Sequence, residues 1–139
     1  DATIVFCNTR DSALYVARLL RERGHTSVAE AHGWVPQSER APQAAAFAEG
    51  RARILVATDV MARGIDTVRA AHVVNFDFPL NPVDYLHRVG RTGRGGGTGR
   101  VTNLVGRRDA TLAAAIELAA RQRRPIDGLS SHRADYVQG

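Results

Sequence analysis

The stretch Ile54-Leu55-Val56-Ala57-Thr58-Asp59 decides how the chain is put together. Four apolar residues run without polar alternation and stop at a hydroxyl and a carboxylate. An uninterrupted apolar run of this length suits a strand covered on both faces. Ile4–Cys7, His72–Phe76 and Val101–Val105 read the same way, and Val28–Ala31 is a weaker fifth. Helical patterns lie between them. Ala13, Val16, Ala17 and Leu20 fall on one helical face, with Gly24 placed to end that helix. Gln37–Phe47 reads as a second helix ended by Gly50. Asn81 as N-cap, Pro82 at the first position and Asp84 at the third start another, running to about Val89. Arg108–Arg121 is a long Ala- and Leu-rich helix with Leu112, Ile116 and Ala119 on one side. Strands alternating with helices predict βαβ units, hence an α/β domain with a mostly parallel central sheet. Ligands gather at the carboxyl ends of the strands in such sheets. The polar, Gly-marked segments after Cys7, Ala31 and Ala57 and beyond Phe76 sit in those places.

At 139 residues the chain has the size of one domain. A composition 44% hydrophobic and 24% charged is ordinary for a globular protein and argues against disorder. No apolar run approaches the length of a membrane span, so no membrane partner is expected. Cys7 is the single cysteine, which excludes an internal disulfide; its apolar setting predicts a buried structural thiol. Nineteen Lys plus Arg against fourteen Asp plus Glu give a formal charge of +5, with a pI near 10.6. That balance fits a polyanion partner and a merely basic surface equally well, so position has to decide. The histidines show no metal-ligand spacing, and no metal site is expected. Gly95–Gly97 reads as a flexible turn. Residues 125–139 read as a C-terminal extension, expected to be partly mobile.

Position is informative in His87-Arg88-Val89-Gly90-Arg91-Thr92-Gly93-Arg94. Three arginines spaced by glycines follow a well-capped helix, crowding positive charge where a backbone can approach a ligand. If the helix persists through Arg91, His87 and Arg91 share a face at i, i+4, and Gly93 sends Arg94 back from a loop. Planar, multidentate guanidinium groups in such a fork suit phosphate oxygens. The competing reading is a solvated basic turn.

This segment resembles motif VI of the DEAD-box RNA helicases. Ile4-Val5-Phe6-Cys7-Asn8-Thr9 is similar to that family's motif IV. His32-Gly33 followed by Gln37 and Arg40 is similar to its HG…QxxR segment, and Ile54 through Asp66 (ILVATDVMARGID) to its motif V. The resemblance covers roughly residues 3 to 106. It implies a RecA-like three-layer α/β/α lobe over residues 1–124 that closes on an N-terminal RecA-like lobe of the same polypeptide around ATP and RNA. Arg91 and Arg94 would be the arginine fingers on the ATP γ-phosphate, with His87 linking them to the opposite lobe. Asp66 would accept from the ribose hydroxyls of ATP, Gly64 would let the backbone approach, and Asp59 would orient motif VI by pairing with an arginine. For RNA the matched positions are Asn8, Thr9, Gly33, Gln37, Arg40, Thr58 and Arg63, whose contacts to the sugar–phosphate backbone fix position without reading sequence. Phe76 and Phe78 have two readings, adenine contact and core. Trp34 and Pro42 depart from the family pattern. Trp34 reads either as a base-stacking group or as packing at the sheet edge, and Pro42 as a kink in the second helix.

There is no G-x-x-x-x-G-K-[ST] phosphate loop and no acidic motif for Mg²⁺ in these 139 residues. ATP with its Mg²⁺ is therefore expected to be held mainly by the other lobe. The isolated domain is expected to be monomeric and inactive. Two rival readings are a DNA helicase lobe of a related branch and an RNA-binding module without ATP coupling. His87-Arg88 at the head of the motif argues against the first. The presence of Asp66, His87, Arg91 and Arg94 together argues against the second.

Overall fold

A computed structural model describes residues 1–65, 69–93 and 99–136. Its elements in chain order are β1 (Thr3–Cys7), α1 (Arg10–Glu22), β2 (Val28–Ala31), α2 (Gln37–Ala48), β3 (Ile54–Thr58), α3 (Asp59–Arg63), β4 (His72–Asn75), α4 (Pro82–Val89), β5 (Arg100–Asn103) and α5 (Ala110–Arg121). The five strands of the described residues form one sheet in the order β2-β3-β1-β4-β5, and every pair is parallel. The chain moves out from β1 to one side, returns through β3, then crosses to the other side. The carboxyl ends of β3, β1 and β4 therefore lie side by side at the reversal, where α/β sheets bind ligands.

Alternation along β1 builds the layers. Ile4 and Phe6 join Leu55, Ala57, Phe47 and Ala62 in one apolar cluster, between the sheet and α2 and α3. Val5 and Cys7 join Val56 with Ala13, Val16 and Ala17 of α1 in another. Both faces of the central strands are thus covered, giving the three-layer α/β/α, RecA-like arrangement. A third cluster of Phe78, Leu112 and Ile116 takes in Tyr85, and Ile126 and Leu129 from beyond α5.

Local signals act as their chemistry predicts. Thr9 caps α1 by accepting from the Ser12 amide at 3.1 Å, and Gly24 follows that helix at φ +95°, a left-handed value that favours glycine. Asn81 caps α4 by accepting from the Asp84 amide at 2.8 Å, with Pro82 in the first turn. Pro42 lies inside α2, which runs unbroken around it. Its missing amide would have served the carbonyl of Ser38, an exposed residue where water substitutes.

One element was not foreseen and two expectations are corrected. The segment after β3 winds into a short helix, α3. Asp59 stands in its first turn and Arg63 in its last, as the helix dipole favours, and Met and Ala between them are good helix formers. The run Val101–Val105 is not covered on both faces. β5 ends at Asn103 as an edge strand, and Leu104 and Val105 lie beyond it, 45% and 49% exposed. The long final helix begins two residues late, because Arg107–Asp109 winds as a 3-10 turn before α5.

Cys7 is buried at the end of β1. Burial, and next the negative charge of Asp77, push its thiol pKa up to about 12. At pH 8 the thiolate is then about one part in 10⁴, so native protein should resist iodoacetamide and react fully once urea unfolds it. Mass spectrometry of alkylated protein checks this; labelling at the same rate in both states would refute the buried setting.

Candidate functional site

The centre of the site is Arg88, the next-to-last residue of α4 and 0% exposed. Its Nε and Nη2 donate to the two carboxylate oxygens of Asp59, both at 2.7 Å. Nη2 also donates to Asn8 Oδ1 at 2.5 Å. Nη1 donates to the Asp77 carbonyl at 2.7 Å and to Asn75 Oδ1 at 3.3 Å. All five guanidinium N–H groups are therefore used, and the Phe6 ring lies beneath at 5.3 Å. The partners come from the ends of β1, β3 and β4, which the sheet order sets side by side. Asp77 accepts in turn from the Asn8 amide at 2.9 Å and the Ser12 hydroxyl at 2.6 Å. Asn75 reaches Asn103 of β5 at 2.7 Å. The expected pairing of Asp59 with an arginine is present, and the arginine is Arg88.

His87 and Arg91 do not keep a helical i, i+4 relation, because α4 ends at Val89. After Gly90 the backbone tightens: the Arg91 amide bonds to the Arg88 carbonyl at 3.2 Å and the Thr92 amide to that of Val89 at 3.1 Å. Bonds of the i, i+3 type eclipse residues three apart, so Arg91 follows Arg88 inward while His87 stays exposed. Arg91 is 9% exposed. Its guanidinium donates to the carbonyls of Ile65 and Ala62 at 2.7 and 2.9 Å, tying the arginine turn to the end of α3. Gly93 follows at φ +71° and turns the chain out. Arg94 and Asp66 lie outside the described residues. Gly64 caps α3, and among the described residues a Cβ there would meet nothing closer than the Met61 carbonyl at 3.5 Å. Neither its φ nor its packing inside the chain demands glycine.

The positions matched for nucleic acid divide. Thr9, Gly33 and Gln37 are exposed along the ends of β1 and β2, and Arg40 is partly so. Arg40 donates to the Val35 carbonyl at 3.0 Å and to Gln37 Oε1 at 2.9 Å, holding the loop before α2 against the helix. A groove of about 460 Å³ joins Gln37 and Arg40 to Gly64. Arg63 is exposed beside it, paired with Asp84 at 2.6 Å. Asn8 and Thr58 do not join this edge. The Asn8 side chain accepts from Arg88 and donates to the Phe78 carbonyl at 3.0 Å, and Thr58 is buried. Both serve the framework. Phe78 is a core residue packed 5.9 Å from Tyr85, and Phe76 is partly buried against the second cluster.

His32 is a positioning residue that sequence reasoning missed. It is buried, its Nδ1 accepts from the Trp34 amide at 3.1 Å, and its Nε2 lies 2.7 Å from Glu30. Accepting at Nδ1 puts the proton on Nε2, which donates to the carboxylate. That hydrogen bond, with Arg21 adding to it, holds the Glu30 carboxyl below its ordinary pKa. Asn75 and Asp77 were missed as well. The available signal was a polar residue closing an otherwise apolar strand. Among the described residues no three His, Cys, Asp or Glu side chains gather as a metal site would require, so none is assigned to Mg²⁺.

Comparison with known proteins fits this geometry. Residues 1–96 match the helicase conserved C-terminal domain family. The chain is 53% identical over 116 residues to the ATP-dependent RNA helicase dbp8 of Emericella nidulans, over 84% of this chain and 22% of that protein. It spans about a fifth of the length of the curated relatives it matches. The C-terminal domain of the DEAD-box protein Dbp5 superposes with a TM-score of 0.74 at 32% identity, over 87% of this chain and 71% of that one. The RNA helicase Prp28 of Chaetomium thermophilum, solved bound to ADP, gives 0.72 at 36% identity, over 87% and 30%. An arginine-anchored turn at the ends of three parallel strands, on a fold shared along most of its length with a DEAD-box domain, places this chain in the helicase conserved C-terminal domain family, in its DEAD-box branch.

Proposed function

We propose that this chain is the C-terminal lobe of an ATP-dependent RNA helicase, coupling ATP hydrolysis to duplex unwinding or ribonucleoprotein remodelling. The observation that carries the reading is the bridge made by Arg91. The arginine turn and the end of α3 share one set of hydrogen bonds, and the other side of that end borders the Gln37–Arg40 groove. A change at one is felt at the other. Arg91 and Arg94 would stabilise charge developing on the γ-phosphate, and His87, exposed beside Arg63 and Asp59, would meet the facing lobe. Asp66 and Gly64 would take the ribose side of the nucleotide. Thr9, Gly33, Gln37, Arg40 and Arg63 would hold the RNA sugar–phosphate backbone. ATP and its Mg²⁺ would be held mainly by the N-terminal lobe of the same polypeptide. The similar Prp28, of which this chain matches 30%, was solved bound to ADP, which supports nucleotide use by the whole protein.

The full-length protein is expected to hydrolyse ATP with stimulation by RNA, and residues 1–139 alone to show no turnover above background. A coupled phosphate-release assay on both decides. Turnover by the 139-residue chain would overturn the division of labour, and none in the full-length protein would overturn the function.

A further inference from the structure

Trp34 departs from the motif around it, yet it is one of the most firmly held exposed side chains in the molecule. Its indole N–H donates to Asp11 Oδ1 at 2.7 Å. Its backbone amide is fixed on buried His32 at 3.1 Å. The guanidinium carbon of Arg10 lies 4.0 Å from the ring centroid, covering one face. Despite these three restraints the residue is 50% exposed. A tryptophan that only filled the core would be buried, and one without a task would not be clamped by two charged neighbours from the first turn of α1.

We propose that Trp34 is a stacking platform for one base of the bound RNA strand; this rests on the RNA-helicase reading above. Trp34 follows Gly33 and precedes Gln37 in the chain, both of them exposed and both assigned above to the RNA backbone. Base–aromatic stacking adds affinity at any base because every base has a π-face. Here little motion remains to be frozen on binding, since the ring is already held. Arg10 adds positive charge beside the ring, where a phosphate next to the stacked base can reach it. Asp11 opposes the polyanion, but its carboxylate accepts from the indole and lies in the first turn of α1, where the helix dipole favours an anion. Backbone contacts alone are blind to the base. A fixed indole makes this lobe sensitive to whether a base is present at one step of the strand.

Trp34 is the single tryptophan of the chain, so intrinsic emission reports this position alone. Titration of the 139-residue chain with oligoadenylate RNA should quench that emission, while an abasic ribose–phosphate oligomer of equal length should leave it unchanged. In the full-length protein with a non-hydrolysable ATP analogue, Trp34→Ala should weaken oligoadenylate binding by roughly fivefold to a hundredfold and leave abasic-oligomer binding unaltered. Trp34→Phe, which keeps an aromatic face and loses the bond to Asp11, should restore most of the affinity. Equal losses on both oligomers, or a loss in Trp34→Phe as large as in Trp34→Ala, would overturn stacking while leaving the RNA reading intact. Absence of RNA binding by the wild-type full-length protein would overturn the RNA reading and this proposal with it.

Discussion

Arg88→Ala is expected to cost ~3–5 kcal/mol of stability, because removing one partner strands a partly buried carboxylate and several polar groups. The guanidinium is 0% exposed and every donor is used, so its bonds are made out of reach of bulk solvent. Asp59 would lose its counter-ion. Asn8, Asn75 and the Asp77 carbonyl would each lose a donor, at about 1–3 kcal/mol for a group left unsatisfied, offset where the structure relaxes. Domains of this size are stable by only ~5–15 kcal/mol, so the loss is a large share of the whole. Arg88→Lys should recover little. One ammonium has three donors and no fork, and cannot span Asp59, Asn8 and Asp77 together. Urea unfolding followed by circular dichroism measures this directly. A loss below about 1 kcal/mol for Arg88→Ala would show that the network does not hold the strand ends together. A double-mutant cycle with Asp59→Ala should give strong coupling, since the two groups meet through two bonds.

That network also marks where sequence reading succeeds and where it stops. The strands, the cap at Asn81, and the helix end at Gly24 were legible because each depends on neighbours within a few residues. The pairing of Asp59 with an arginine followed from family resemblance, but the choice of Arg88 over Arg91 did not. It depends on helical phase: counted at 100° per residue, Arg88 falls three positions from Tyr85 and flanks the inward face, whereas His87 points away. Beyond Gly90 that count fails, because a tighter turn carries Arg91 inward as well. The change from α to 3-10 winding is imposed by what the turn packs against, and no local pattern announces it. Asn8 shows the same limit. Its residue type and place suited an RNA contact, but Arg88, 80 positions away in sequence, takes its side-chain oxygen.

Arg91→Ala and Arg94→Ala in the full-length protein are each expected to reduce RNA-stimulated ATP turnover by ~10³-fold or more, the scale of an arginine finger, with RNA affinity largely kept. Arg91 carries a second expectation that separates it from a simple finger. Its guanidinium occupies the Ala62 and Ile65 carbonyls, and losing it exposes the end of α3 to water. Arg91→Ala should therefore also lower stability, by about 1–2 kcal/mol for bonds partly replaced by solvent. In the closed two-lobe state the same group would have to serve a γ-phosphate, so nucleotide binding would compete with the carbonyls for its donors. Releasing them would loosen the end of α3, which borders Gln37, Arg40 and Gly64. On the function proposed above, ATP arrival at one side of the lobe would then be converted into freedom at the RNA edge, through a single side chain. Steady-state kinetics on the single variants, with urea melts of the same proteins, tests both halves of the argument. Unchanged turnover in Arg91→Ala would remove it from the catalytic machinery. Lost turnover with unaltered stability would mean that its bonds to α3 contribute nothing, and the link to the RNA edge would have to run elsewhere.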